Sequence, residues 1–314
     1  MKNIAVIGIG ALGKRHLQSI YELDDQYAIY AVDPNINEIK PLLETDMPHV
    51  HYLSNVSELP YEIECTVIAT NSNVRRQVFE ELISHSHLRY IIFEKVLFQT
   101  ATDYELVEKK LNEYEIKAWV NCARREWVGY KELKKELTDI KDIHFFISGG
   151  KWGIGCNGIH MLDLVEYLSG DCISNISTLG LENGLYESKR IGYVEFYGNI
   201  SGNVCSGKSF NIICMKNSNL PLTIEIVTEK KRYFIEEYKN KYSVYDGSSG
   251  WIEKEFSQSF QSQMTARIIK SIIDTNHCNL PDYKSSQRIH LKYINELMKF
   301  FKKNGWEEDS CPIT

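Results

Sequence analysis

The sequence predicts an α/β chain in two parts: a parallel-sheet domain followed by an α+β domain with a large, mainly antiparallel sheet. Short apolar runs alternate with helical periodicity over the first 120 residues, and strand patterns without intervening helices fill residues 176–237. The 314 residues suffice for two cores at roughly 150 residues per domain. We therefore divide the chain into 1–120 and 121–314, at a change of topology, since no Pro/Ser/Gly-rich linker or repeat separates the parts.

Taken in order, residues 4–7, 27–32, 65–69, 90–93 and 116–120 are compact and rich in β-branched or aromatic side chains. Such runs read as strands covered on both faces. Residues 74–83 and 104–111 repeat apolar positions every three to four residues, as crossover helices do. A helix over 127–137 and a strand over 143–148 then lead to the glycine-rich run 149–158 and an apolar helix over 159–168. Strands are expected at 176–181, 193–197, 203–205, 210–215, 222–227 and 233–237, and helices over 264–273 and 288–301 close the chain.

Composition excludes several functions. Lys+Arg 36 against Asp+Glu 42 leaves a net charge of −6 without an extended basic run, so nucleic acid is not expected as the principal partner. Eight cysteines form no Cys-x-x-Cys pair and no zinc-like pattern with histidine, so no metal site is expected and the thiols read as reduced. The N-terminus enters an apolar strand directly, and no apolar run approaches the ~20 residues that span a bilayer. The expectation is a cytoplasmic protein without a membrane partner.

Gly8-Ile9-Gly10-Ala11-Leu12-Gly13 follows the first strand and opens a helix. Gly8 permits the tight turn, Gly10 lets the backbone approach a pyrophosphate, and Gly13 allows close helix packing, while Ala11 and Leu12 begin a helix whose free N–H groups attract anions. Asp33 ends the second strand, 20 residues past Gly13, where a carboxylate can accept both ribose hydroxyls. It would repel a 2′-phosphate, and Pro34, Asn35 and Ile36 supply no cation, so NAD is favoured over NADP. The alternative for Asp33 is a turn residue in Asp-Pro-Asn.

Two further strands deliver Thr70-Asn71-Ser72 and Glu94-Lys95 to the edge where parallel sheets bind ligands. Desolvation at a buried strand end would push Lys95 towards its neutral form, whereas a lysine reaching solvent is the plainer reading. Five glycines lie between 149 and 158, and His160 and Asp163 follow on one face of the next helix. That carboxylate could orient the imidazole, leaving one ring nitrogen for a substrate hydroxyl; a packed core histidine is the alternative. Arg124 and Arg125 read equally well as substrate contacts or as ordinary salt-bridge residues.

Together these residues resemble the Gfo/Idh/MocA family of nicotinamide-dependent oxidoreductases. The matches are Gly8-x-Gly10-x-x-Gly13, Asp33, Ala69-Thr70-Asn71-Ser72, Glu94-Lys95, Arg124-Arg125, Gly158-x-His160-x-x-Asp163 and the closing Leu280-Pro281-Asp282 with its helix. The resemblance implies a Rossmann NAD-binding domain and a second domain that binds substrate and forms a homo-dimer or homo-tetramer. It implies Gly8, Gly10, Ala11, Leu12, Gly13, Asp33, Thr70, Asn71, Glu94 and Lys95 at the cofactor. It places Lys95, Arg124, Trp152, Cys156, Asn157 and His160 at the substrate, with Lys95, His160 and Asp163 in catalysis. The implied function is hydride transfer between NAD and a hydroxyl or keto group of a sugar, polyol or nucleotide sugar, a chemistry that also serves surface-polysaccharide and unusual-sugar synthesis. Redox-neutral sugar elimination or hydrolysis and a catalytically silent dinucleotide-binding regulator are the alternatives.

Three departures stand out. Val96 replaces the family's proline after Glu-Lys, Arg75 replaces a histidine, and Cys156-Asn157 occupies the place of an aspartate four residues before the histidine. The last leaves the usual lysine–aspartate–histidine trio incomplete.

Overall fold

The computed structural model describes residues 1–43 and 46–314 and divides into two compact units. Met1–Cys122 with Ser259–Gln287 form the first, and Ala123–Gln258 with Arg288–Thr314 form the second. This corrects the simple division at residue 120, because a late segment returns to the first unit.

The first unit runs β1 (Lys2–Ile7), α1 (Ala11–Ile20), β2 (Tyr27–Val32), α2 (Ile36–Ile39), β3 (Val50–Leu53), β4 (Glu62–Ile68), α3 (Arg75–His85), β5 (His87–Phe93), α4 (Ala101–Glu113) and β6 (Lys117–Val120). All six strands are parallel, in the order β3-β2-β1-β4-β5-β6. The order reverses between β1 and β4, and beyond the carboxyl ends of such a pair lies the crevice where parallel sheets take ligands. The central strands are apolar on both faces; Ile4, Ala5, Val6, Val67 and Ile68 have no exposed surface. Edge strand β3 escaped the sequence reading because its four residues, Val-His-Tyr-Leu, carry a pattern too short to stand out.

The second unit runs α5 (Val128–Glu136), β7 (Ile143–Gly150), α6 (Ile154–Ser169), β8 (Ile173–Leu181), β9 (Tyr186–Glu187), β10 (Val194–Glu195), β11 (Gly198–Val204), β12 (Ser209–Met215), β13 (Thr223–Thr228), β14 (Arg232–Glu236), β15 (Lys241–Tyr245) and β16 (Trp251–Glu255). Its eight-stranded sheet has the order β16-β15-β14-β13-β7-β12-β11-β8, and only β7 and β12 pair in parallel. Strand β16 is exposed throughout, so no hydrophobic alternation announced it. The strand expected over 193–197 shrinks to Val194–Glu195, because the Val194 N–H donates to the Pro312 carbonyl and Glu195 turns towards α6.

Helix α6 starts at Ile154, inside the glycine-rich run and ahead of the expected 159. Glycines weaken a helix, but these make room for neighbours. A Cβ on Gly158 would lie 2.4 Å from the Tyr293 hydroxyl oxygen, which donates to the Ile154 carbonyl at 2.9 Å. His160 and Asp163 therefore stand in the second and third turns rather than at the helix start.

The chain returns to the first unit through α7 (Gln261–Thr275), and α8 (Tyr283–Lys303) begins there before continuing in the second. Helix α7 lies along α1, where Thr265 Oγ1 meets His16 Nδ1 at 2.8 Å and the Ala266 N–H donates to Ser19 Oγ at 3.0 Å. Val120 donates its N–H to the Pro281 carbonyl, and Trp119 bridges to Asp282, so Leu280-Pro281-Asp282 covers the free edge of β6. Among the described residues, no helix is long and apolar enough to cross a membrane.

Candidate functional site

The turn from β1 into α1 shows why three glycines recur there. Gly8 has φ +88°, and a Cβ on it would meet the Thr70 nitrogen at 2.8 Å. A Cβ on Gly13 would lie 1.9 Å from the Gly8 carbonyl oxygen. A Cβ on Gly10, by contrast, would meet no other part of the protein within 4 Å. The protein's own backbone thus requires Gly8 and Gly13, whereas Gly10 keeps a space free. Gly10 is also the N-cap of α1, and its residue type provides no capping side chain for the N–H groups that Ala11, Leu12 and Gly13 begin. An open cradle before an uncapped helix start fits a pyrophosphate.

Asp33 stands beside this turn. Its Oδ2 accepts the Ile9 N–H at 2.8 Å, and its Oδ1 accepts the Asn35 N–H at 2.9 Å. The turn reading is seen directly: Asp33 folds the Asp-Pro-Asn turn, and it also holds the glycine loop against β2. Each oxygen retains a lone pair for a ribose hydroxyl. These residues together fit an NAD dinucleotide.

Across the switch point, Thr70 and Asn71 lead into α3. The Asn71 carbonyl accepts the Val74 and Arg75 N–H groups, and the fully buried Arg75 guanidinium donates to the carbonyls of Thr70, Val96 and Leu97. Arg75 thus clamps the loops after β4 and β5 together. The Lys95–Val96 peptide is cis although Val96 is not proline.

Glu94 is 3% exposed. Its Oε1 accepts from Asn121 and meets His16 Nε2 at 2.9 Å. Burial alone would raise this carboxyl's pKa, but hydrogen bonds from His16 and Asn121 and the charge of Lys95 hold it below the ordinary value. What Glu94 offers a ligand is a firmly placed strand end more than an open oxygen. Lys95, next along, is 9% exposed.

In the second unit, both Asp163 oxygens accept from Arg125, at 2.8 Å from Nε and 2.8 Å from Nη2. The sequence spacing pairs Asp163 with His160 and does not show this planar two-bond clasp. His160 is half-buried on the same helix. Arg124 makes its own clasp with Glu237, at 2.7 Å and 2.8 Å, and Tyr130 donates to the same carboxylate at 2.5 Å. The nearby carboxylate raises the Arg124 pKa despite burial. With Nε and one Nη2 hydrogen committed to Glu237, the two Nη1 hydrogens and the second Nη2 hydrogen are left for the substrate contact expected of Arg124.

Trp152, Cys156 and Asn157 line a cavity of about 300 Å³ at the head of α6, together with residues of the 187–197 segment. Trp152 Nε1 donates to the Ile213 carbonyl, and Asn157 Nδ2 donates to the Trp152 carbonyl, each at 2.9 Å. His160 follows Cys156 and Asn157 by one helical turn, so the helix repeat places all three on one side. Sequence reasoning missed Glu195, 40 residues from Gly155 and outside any motif, which also lines this cavity. It missed as well the gathering of Asp171, Cys172 and Cys205, whose ligand-type atoms lie within 4.8 Å of one another.

Residues 2–122 match the model of the Gfo/Idh/MocA oxidoreductase family, NAD-binding Rossmann fold. The whole chain shares its fold with several solved proteins. UDP-N-acetylglucosamine 3-dehydrogenase from Acidithiobacillus ferrooxidans superposes with a TM-score of 0.74 at 13% identity, over 94% of this chain and 96% of that one. Scyllo-inositol dehydrogenase from Lactobacillus casei, solved with NAD(H) and scyllo-inositol, gives 0.71 at 16% identity over 97% and 98%. A super-repressor mutant of Gal80p from Saccharomyces cerevisiae gives 0.73 at 16% identity over 96% of each chain. No curated relative matches the sequence. At these identities the superpositions show the fold, which hosts dehydrogenases and a regulator alike.

Proposed function

We propose that this protein is an NAD-dependent oxidoreductase transferring hydride between the nicotinamide and a hydroxyl or keto carbon of a sugar, polyol or nucleotide sugar. The observation that carries the reading is the open Gly10 cradle at the uncapped start of α1, with Asp33 at its side, in a segment that matches an NAD-binding oxidoreductase domain. NAD, when bound, accepts or returns the hydride. Gly8, Gly10, Ala11, Leu12, Gly13, Asp33, Thr70 and Asn71 would hold it.

A ring nitrogen of His160 takes the proton from the substrate hydroxyl during oxidation and returns it during reduction. Lys95 polarises the same oxygen. Asp163, clasped by Arg125, fixes the helix face that carries His160. Cys156 and Asn157 stand where a carboxylate would complete the trio, so proton transfer rests on His160. The assembly in this reading is a homo-dimer or homo-tetramer, measurable by light scattering.

The test incubates the protein and NAD with sugars, polyols and nucleotide sugars, following reduced cofactor by absorbance and product by mass spectrometry. Reduced cofactor with a product two hydrogens lighter supports the reading. Product without net reduction points to the redox-neutral alternative, and NAD binding without turnover of any substrate in either direction points to the regulator. His160→Ala should lower kcat by roughly 10²–10⁴-fold while NAD affinity stays within a few-fold. Full activity in that variant removes the histidine from the mechanism.

A further inference from the structure

The cavity at the head of α6 contains a carboxyl that the proposed mechanism leaves unused. Glu195 is 9% exposed and lines this cavity. Its Oε1 accepts the Gly155 N–H at 2.7 Å and the Phe196 N–H at 3.1 Å. No hydrogen bond reaches Oε2 among the described residues. That atom lies beside Gly153, whose missing Cβ would stand 3.3 Å from it and 3.3 Å from Asn157 Nδ2. Asn157 spends Nδ2 on the Trp152 carbonyl, leaving its side-chain oxygen as an acceptor. Two adjacent acceptor groups in a concave site call for a ligand rich in donors.

The rest of the lining adds charge. Lys151, Lys189 and Arg190 are exposed lining residues, and no ion pair engages their side chains among the described residues. They outnumber the two carboxylates of the same lining, Glu187 and Glu195, in a chain whose net charge is −6. Lys151 is held at φ +47°, a backbone region that residues with a Cβ seldom occupy. Trp152 supplies apolar surface beside the acceptors, suited to the C–H face of a ring. The volume of about 300 Å³ accommodates a pyranose and a substituent.

We propose that this cavity selects a sugar ring bearing an anionic substituent, with ring hydroxyls donating to Glu195 Oε2 and Asn157 and the anion meeting Lys151, Lys189 and Arg190. The proposal rests on the oxidoreductase reading only in taking that ligand to be the substrate. Burial without a cation against the carboxylate raises the Glu195 pKa, so a donor on the ligand would bring its proton affinity back down.

The test is calorimetric titration of the full chain, without NAD, by glucose, glucose 1-phosphate, glucuronate and inorganic phosphate. The two acidic sugars should bind at least about tenfold more tightly than glucose or phosphate, and the stronger of the two names the anion. The double variant Lys189→Ala, Arg190→Ala should erase that preference. Glu195→Gln should weaken all three sugars by about tenfold while the preference remains. Equal binding of glucose, phosphate bound as tightly as the sugar phosphate, an unchanged preference in the double variant, or no heat from any sugar would overturn the proposal. Circular dichroism establishes that each variant folds, and should Glu195→Gln not fold, the double variant decides alone. Acidic-sugar binding without turnover would defeat the oxidoreductase reading and leave this one standing; turnover without the preference would do the reverse.

Discussion

The two glycine-rich helix heads invite comparison. Both α1 and α6 follow the end of a strand, and both have a glycine N-cap without a side-chain cap of its own, Gly10 and Gly153. The helices then part. Helix α1 leaves its cradle open, since nothing stands within 4 Å of a Cβ on Gly10. Helix α6 is closed by the protein itself, through Glu195 Oε1 on the Gly155 N–H. Unpaired N–H groups and the positive end of the dipole attract an anion in either case. A glycine-rich turn into a helix thus announces an anion partner without saying whether it is a ligand or a residue of the chain.

Substitutions can break this comparison at its strongest point first. Gly13→Ala puts a Cβ 1.9 Å from a backbone oxygen at the first head, where neither group can yield cheaply. We expect a stability loss of about 3 kcal/mol in denaturant unfolding, with NAD binding lost. Gly10→Ala meets no protein atom, so its unfolding midpoint should match the parent's while NAD affinity falls by at least about tenfold in a fluorescence titration. Should both variants lose stability equally, the cradle would be a packing feature and not a ligand site.

Asp33→Ser sharpens the specificity of the same head. It should weaken NAD by roughly tenfold and NADP less, and an unchanged ratio of the two affinities would take Asp33 out of the ribose contact.

The smallest effect lies at the second head and shows in pH dependence. Burial raises the Glu195 pKa in the folded chain above the ordinary carboxyl value of 4.5. Between that value and the higher folded one, the folded state binds the extra proton. Stability from this group is therefore complete at lower pH and is lost as pH rises through the folded pKa. Relative to Glu195→Gln, the parent should lose ground in urea unfolding between pH 4 and pH 7. A pH-independent difference would mean that Glu195 does not titrate across that range.

The first head was legible because its chemistry is local. A strand, three glycines and Asp33 lie within the first 33 residues, and the parallel sheet follows from alternation that any reader of the sequence can see. The second head was only half legible. The spacing of His160 and Asp163 placed both on one helix, but the start of that helix and the residue that caps it come from Glu195, 40 residues away from Gly155. Helix length was misjudged for the same reason, since glycine propensity argued against a turn that tertiary contacts stabilise.

Sequence by itself determined the fold class, the dinucleotide turn and the order of the candidate catalytic residues, because hydrophobic period and glycine geometry act over a few neighbouring residues. Tertiary structure alone decided which charges meet. Arg125 clasps Asp163, Arg124 clasps Glu237, Glu94 holds His16, and residues 259–287 rejoin the first unit to cover α1 and the β6 edge. Such pairings depend on which surfaces the chain brings together after dozens or hundreds of residues, and no local pattern encodes that distance.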